Sequence, residues 1–205
     1  MTAAQRERAA LVEAMRAKGP DAPTLCAGWK TRDLAAHLYV REHRLDATAG
    51  IAVPALAKYT EKVQNRVAGN DWDALLDKIA AGPPLFSPFK LIDPVANLAE
   101  MFIHCEDVRR AQPGWEPRTL DDATVNGLTR TLSLMARLTL AKAPARAALR
   151  TPEGRTLVTA GKGEPVTVTG RPEELLLFAV GREARVEFEG EPAAVRALRD
   201  APKSL

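Results

Sequence analysis

Glu100 and His104 stand four residues apart in Glu100-Met-Phe-Ile-His104, and His37 lies in Leu34-Ala-Ala-His37-Leu38. On a helix, residues at a spacing of four lie about 40° apart around the axis and project as neighbours. A carboxylate and an imidazole so placed can grip one ion. Val95, Leu98, Met101, Phe102 and Ile103 fall on several sides of the same predicted helix, which implies burial nearly all round. An unpaired charge is expensive there, so Glu100 must be protonated, salt-bridged, hydrogen-bonded or bound to a cation. His37, on another apolar stripe, can supply a third ligand. Two histidines and one carboxylate suit zinc, iron, nickel or manganese and leave positions open for water or substrate. The spacing also arises by chance, and core histidines are often simple hydrogen-bonding groups. A helix on which Glu100 and His104 merely bridge each other therefore stays open as a reading.

Other reactive side chains offer less. Asp107 lies about 20° from Glu100 on the helical wheel and can orient His104, though a solvated turn residue is the alternative. His43 lies six residues from His37 between Glu42 and Arg44, and reads as a solvated residue. Cys105 is turned about 100° from His104 and packs as a small apolar group. Cys26 precedes a Gly-Trp turn and has no evident base, which argues against a cysteine nucleophile. No Gly-x-Ser-x-Gly elbow, Walker loop or strand-linked Gly-x-Gly-x-x-Gly is present, so serine hydrolase, P-loop and Rossmann chemistry have no anchor.

Several elements must hold these residues in place. Thr2 and Gln5 form a capping box before the stripe Leu11, Val12, Met15, and Gly19-Pro20 ends that helix. After the loop Pro23 to Trp29, Thr31 is expected to cap a second helix whose Leu34, His37, Leu38, Arg41 and Leu45 share a face. Trp72, Leu75, Leu76 and Ile79 mark a third piece that ends at Gly82-Pro83-Pro84, followed by a proline-bearing segment over 82–94 that can roof a pocket. Asp93 and Pro94 open the helix of Glu100 and His104, which stops before Pro113-Gly114. A long helix from about Asp121 to Lys142 carries Val125, Leu128, Leu132 and Met135.

Beyond Pro144 the pattern alternates at Val166 and Val168 and again at Val186 and Phe188, which predicts strands. Helices are expected from Pro172 to Val180, closed by Gly181, and from Pro192 to Asp200, and Gly161-Lys-Gly163 reads as a hairpin turn. The fold class is therefore mainly α, with a helical domain over 1–145 and a small α+β domain over 146–205. The 205 residues, 46% hydrophobic, suffice for one sizeable core. No run of apolar residues is long enough to span a bilayer, and two cysteines make no disulfide framework. The expectation is a cytoplasmic protein with reduced thiols. The net charge of +3 is dispersed among acids and aromatics are 5%, which argues against nucleic acid as a partner. No membrane partner is expected, and the protein is expected to be a monomer or a homodimer.

At Pro23-Thr-Leu-Cys-Ala-Gly-Trp29, Arg32-Asp33-Leu-Ala-Ala-His37-Leu38 and Glu100-Met-Phe-Ile-His104-Cys-Glu-Asp107, the sequence resembles the mycothiol-dependent maleylpyruvate isomerase family. These are actinobacterial members of the DinB-like metal-binding helical bundles. Gly170 to Arg182 resembles the family's small sterol-carrier-like domain. The resemblance implies an up-down four-helix bundle with a divalent metal, zinc first, held by His37, Glu100 and His104. It also implies mycothiol as thiol cosubstrate of an S-transferase or isomerase, with Arg182 of the Gly-Arg pair as a partner for a substrate carboxylate. A metal- or ligand-binding protein of the same fold without catalysis is the alternative. The family's metal-binding branch often carries a histidine where Cys105 stands.

Overall fold

The computed structural model describes residues 1–84 and 94–203, without the side chains of 49, 51, 52 and 94–96. The proline-bearing segment from 85 to 93, the cap expected at Asp93 and the side chain of Val95 lie outside the described residues. The chain divides into two compact units, Met1–Thr119 and Leu120–Leu205.

Six α-helices are described in the first unit: α1 Ala3–Lys18, α2 Thr31–His43, α3 Leu45–Ala52, α4 Ala57–Ala68, α5 Trp72–Ala81 and α6 Pro94–Arg110. In α1 the Thr2 hydroxyl accepts from the Gln5 N–H while the Gln5 carboxamide oxygen accepts from the Thr2 N–H, satisfying two backbone donors at once. Asp71 caps α5, and Gly82 follows its last turn at φ +76°. α1 packs along α5 and α6, and α2 packs against α3, α4 and α5. Leu11, Met15, Leu34, Leu38, Leu76, Ile79 and Met101 are fully buried in this core. Each contributes about 1.5–3 kcal/mol of hydrophobic burial before conformational entropy is counted. A buried ion pair links α1 to α2: Arg8 makes a two-pronged contact with Glu42 and also donates to the Ile79 carbonyl at 2.9 Å.

Two local expectations fail here. Thr31 is the first residue of α2, not its cap. Lys30 holds that position with its N–H on the Asp33 carboxylate, and the Thr31 hydroxyl donates to the Gly19 carbonyl instead. Leu45 does not extend the α2 face, because α2 stops at His43 and Leu45 opens α3. Helices α3 and α4 are new. Thr60, Val63 and Val67 are buried along one face of α4, a stripe that is visible in the sequence once sought.

The second unit holds α7 Asp122–Thr139, β1 Arg146–Arg150, β2 Thr156–Ala160, β3 Pro165–Thr169, α8 Pro172–Ala179, β4 Glu187–Gly190 and α9 Pro192–Asp200. Helix α7, which the sequence reading places in the helical domain, packs on α8 and β2. The strand order is β2-β1-β3-β4, with β1 antiparallel to β2 but parallel to β3. Gly161-Lys-Gly163 is therefore no hairpin turn. It carries the chain from one side of β1 to the other, across the backbone that leads into β1. A Cβ on Gly163 would come within 2.6 Å of the Pro144 carbonyl oxygen, and its φ is +111°. The molecule is mainly helical with a small four-stranded sheet.

Candidate metal centre

Helix α6 is buried on most sides, as its apolar positions require. Leu98, Met101, Phe102, Cys105 and Val108 are all 2% exposed or less, so Glu100 and His104 sit on a helix with little access to water. Their spacing brings His104 Nε2 within 3.4 Å of Glu100 Oε1. From α2, His37 reaches the same oxygen, its Nε2 lying 3.6 Å away. The donor atoms of His37, Glu100 and His104 all lie within 4.8 Å of one another. The two imidazole rings meet edge to face with centroids 5.7 Å apart, and the Trp29 ring lies tilted against His37 with centroids 5.2 Å apart.

These separations suit an ion. Two donors bound to one tetrahedral zinc at about 2.0–2.2 Å lie about 3.3–3.6 Å apart, a range that includes both Glu100 contacts. The same contacts are long for direct hydrogen bonds. Arg41 Nε is also 3.5 Å from Glu100 Oε1, while its NH1 donates to Asn97 at 3.2 Å.

His104 uses its other nitrogen differently. Nδ1 lies 2.9 Å from Asp107 Oδ2, and the Asp107 side chain is fully buried. A carboxylate there accepts an Nδ1–H, which leaves Nε2 as the atom directed at Glu100 and His37. Burial works against charging this imidazole, but contacts with Asp107, the Cys26 thiol and Glu100 overcome it and hold the His104 pKa well above the usual histidine value. Burial likewise opposes ionisation of Glu100, yet contacts with His104 and His37 and the Arg41 charge hold it well below the usual carboxylate range. Both shifts favour the charged forms of this pair in the chain itself.

Cys26 has neighbours that the sequence did not disclose. The turn from Cys26 to Trp29 places Gly28 at φ +77°, a region that favours glycine, and the Leu25 N–H donates to the Asp107 carbonyl. Cys26 Sγ thereby lies 3.1 Å from Asp107 Oδ2 and 3.9 Å from His104 Nδ1. Cys26, His104 and Asp107 form a second donor set within 4.8 Å. Its contacts of 2.9 and 3.1 Å are hydrogen-bond distances, shorter than the spacing across a tetrahedral ion. Nothing local in the sequence announces this contact, since its members stand 81 residues apart.

The remaining residues fall elsewhere. His43 is not solvated. It is half-buried and stacked on Tyr39 with ring centroids 4.6 Å apart, and burial is the main cause of its lowered pKa. Cys105 is fully buried, and burial pushes its thiol up to about 12. Arg182 belongs to the second unit, where its guanidinium donates to the Val180 carbonyl at 3.2 Å.

No protein-family model matches the sequence, and no curated protein matches it. Two solved structures align over 99% of this chain and 93% of their own length. One is mycothiol-dependent maleylpyruvate isomerase, with a TM-score of 0.62 at 14% identity, and the other is a histidine-to-alanine variant of it, with a TM-score of 0.59 at 12% identity. The chain has the fold of these isomerases. Among the described residues, no helix is long and apolar enough to cross a membrane.

Proposed function

We propose that the protein is a divalent-metal enzyme that uses mycothiol, or a similar low-molecular-weight thiol, in a transferase or isomerase reaction. His37, Glu100 and His104 would hold the ion, zinc first. The observation that carries this reading is the donor spacing: two imidazole nitrogens surround one carboxylate oxygen at 3.4 and 3.6 Å, the separations expected around a tetrahedral centre. A divalent ion held there would supply Lewis acidity and would lower the pKa of a thiol brought to it.

The chain's own residues prepare that chemistry. Asp107 selects the His104 tautomer that offers Nε2, and its burial keeps this hydrogen bond from exchanging with water. Trp29 packs against His37, with ring centroids 5.2 Å apart. Arg182 is the candidate partner for the carboxylate of an anionic substrate. The first unit is read as a DinB-like four-helix bundle and the second as a sterol-carrier-like domain.

Arg41 favours a second reading. A guanidinium 3.5 Å from Glu100 supplies positive charge to that carboxylate without any ion, as a metal-binding or structural protein without turnover would allow. Elemental analysis of untagged protein separates the two, with wild type beside His37→Ala and Glu100→Ala. One metal per chain, lost in both variants, supports the centre and leads to thiol-transfer assays with mycothiol and a panel of electrophiles. Metal-free protein that cannot be reloaded sinks the catalytic reading.

A further inference from the structure

Arg41 stands four residues after His37 on α2, so the two side chains leave the same face of that helix. Three nitrogens consequently converge on one oxygen, Glu100 Oε1: Nε2 of His104 at 3.4 Å, Nε of Arg41 at 3.5 Å and Nε2 of His37 at 3.6 Å. The imidazoles can shed a proton and offer a lone pair to an ion. The guanidinium can do neither, since it keeps its charge at any ordinary pH and has no acceptor atom. We propose that Arg41 is a positioning residue that acts through Glu100 as a competitor for the metal. It matches the charge of that carboxylate in metal-free protein and repels an ion brought to it, so the centre holds a divalent cation less tightly than its three ligands would without Arg41. The inference rests on the proposed centre and concerns how readily that centre exchanges its ion.

Arg41 is held where it can act in this way. Its NH1 donates at 3.2 Å to the side-chain oxygen of Asn97, three residues before Glu100 on α6. The Arg41 side chain is 14% exposed, so water screens its charge weakly and both attraction and repulsion exceed their strength in bulk water. Glu42 Oε1 lies 3.9 Å from Arg41 NH1 but does not cancel that charge, because the two-pronged contact with Arg8 already matches the charge of Glu42. The two effects on the ion have one sign. In the metal-free chain the guanidinium stabilises the carboxylate, and beside a bound ion two cations share that carboxylate and repel each other. An arginine that only braced α2 against α6 would do the reverse: its removal would loosen the ligands and weaken the metal.

The test measures zinc affinity of the untagged full chain by chelator competition, for wild type, Arg41→Gln, Arg41→Leu and Arg41→Lys. Glutamine keeps a polar group for Asn97 without the charge, leucine adds no ligand atom, and lysine keeps the charge. Both neutral variants are expected to bind zinc at least about tenfold more tightly and to release it more slowly, while Arg41→Lys stays within about threefold of wild type. Urea unfolding gives a second readout: metal-free stability falls in the neutral variants, yet at equal free zinc their midpoints rise by more than that of wild type. Unchanged or weaker affinity in the neutral variants, or equal tightening in Arg41→Lys, overturns the inference alone so long as wild type takes up one metal per chain. Zinc uptake by the neutral variants and not by wild type supports it. No uptake by any of the four overturns both this inference and the metal reading.

Discussion

Glu100 and Glu106 lie on the same buried helix, six residues apart, and their surroundings differ in kind. Glu106 is saturated: one oxygen accepts from Arg109 and from Arg118, each at 2.8 Å, and the other accepts from Arg110 at 2.7 Å. Arg118 continues to Glu7 of α1. Glu100 has two imidazoles and a guanidinium beside it among the described residues, all at 3.4–3.6 Å. The first carboxylate is closed off by partners that the chain supplies. Around the second, the donors stand apart by the width of an ion. An acid on a buried helix is therefore not a functional signal by itself; what distinguishes the two is whether partners reach hydrogen-bonding distance.

Removing each carboxylate breaks the comparison most directly. Glu106→Gln removes the buried negative charge that Arg109, Arg110 and Arg118 share, and a loss of about 3–5 kcal/mol is expected in urea unfolding, with metal content per folded chain unchanged. A loss below about 1 kcal/mol would show that the arginine knot is not a stability element. Glu100→Gln should act chiefly on the metal: affinity falls by about 100-fold or more in a chelator competition, with a smaller loss of metal-free stability than in Glu106→Gln.

Asp107→Asn sharpens the comparison from the other side of His104. It keeps the shape but weakens the preference for the Nε2-directed tautomer, and about a 10–100-fold loss of metal affinity is expected, read by the same competition. An unchanged affinity would mean that Asp107 does not position the ligand.

Proton linkage gives the next test. In the metal-free chain the His104 pKa is raised, so an ion must displace a proton there, and affinity should climb with pH until that raised pKa is passed, then level off. The pH at which affinity declines should thus lie above the range of about 6 to 5 expected for ordinary histidine ligands. The same shift fixes the sign for stability. A raised folded-state pKa contributes stability below the ordinary histidine value of about 6.5, and metal-free protein should lose it as pH rises through the raised value. Glu106 runs oppositely: burial opposes its ionisation, but Arg110, Arg118 and Arg109 hold its pKa down, so its contribution is present above the ordinary carboxylate range and is lost on acidification. Thermal unfolding across pH, with and without zinc, checks both signs.

The smallest expected effect is at Cys26. Because its contact with Asp107 is a hydrogen bond and not a ligand spacing, Cys26→Ser should leave one metal per chain and change affinity by less than about tenfold. Loss of the metal in that variant would move the centre to the set of Cys26, His104 and Asp107.

Where structure depends on near neighbours, the sequence was legible. The capping box of Thr2 and Gln5, the spacing of Glu100 and His104, the burial of α6 and the bounds of α9 all follow from 3.6-residue periodicity and the needs of helix ends. The start of α3 escaped because the chain turns at Arg44 without a breaker and one apolar pattern runs into the next, whereas the turn at Val53 carries its own signal in Pro54. The course of Gly161-Lys-Gly163 escaped because strand adjacency is set by the whole sheet and not by a turn.

The sequence by itself determined which residue types are available for metal chemistry and which helix carries two of them. Only the tertiary structure decided that Glu106 is satisfied by arginines and Glu100 is not, that Cys26 rests on Asp107, and that acids and amides with an indole line the space beside His37. The physical reason is range. Backbone geometry ties a residue to positions three and four away, whereas the distances that separate a hydrogen bond from an ion site are set by how distant segments pack.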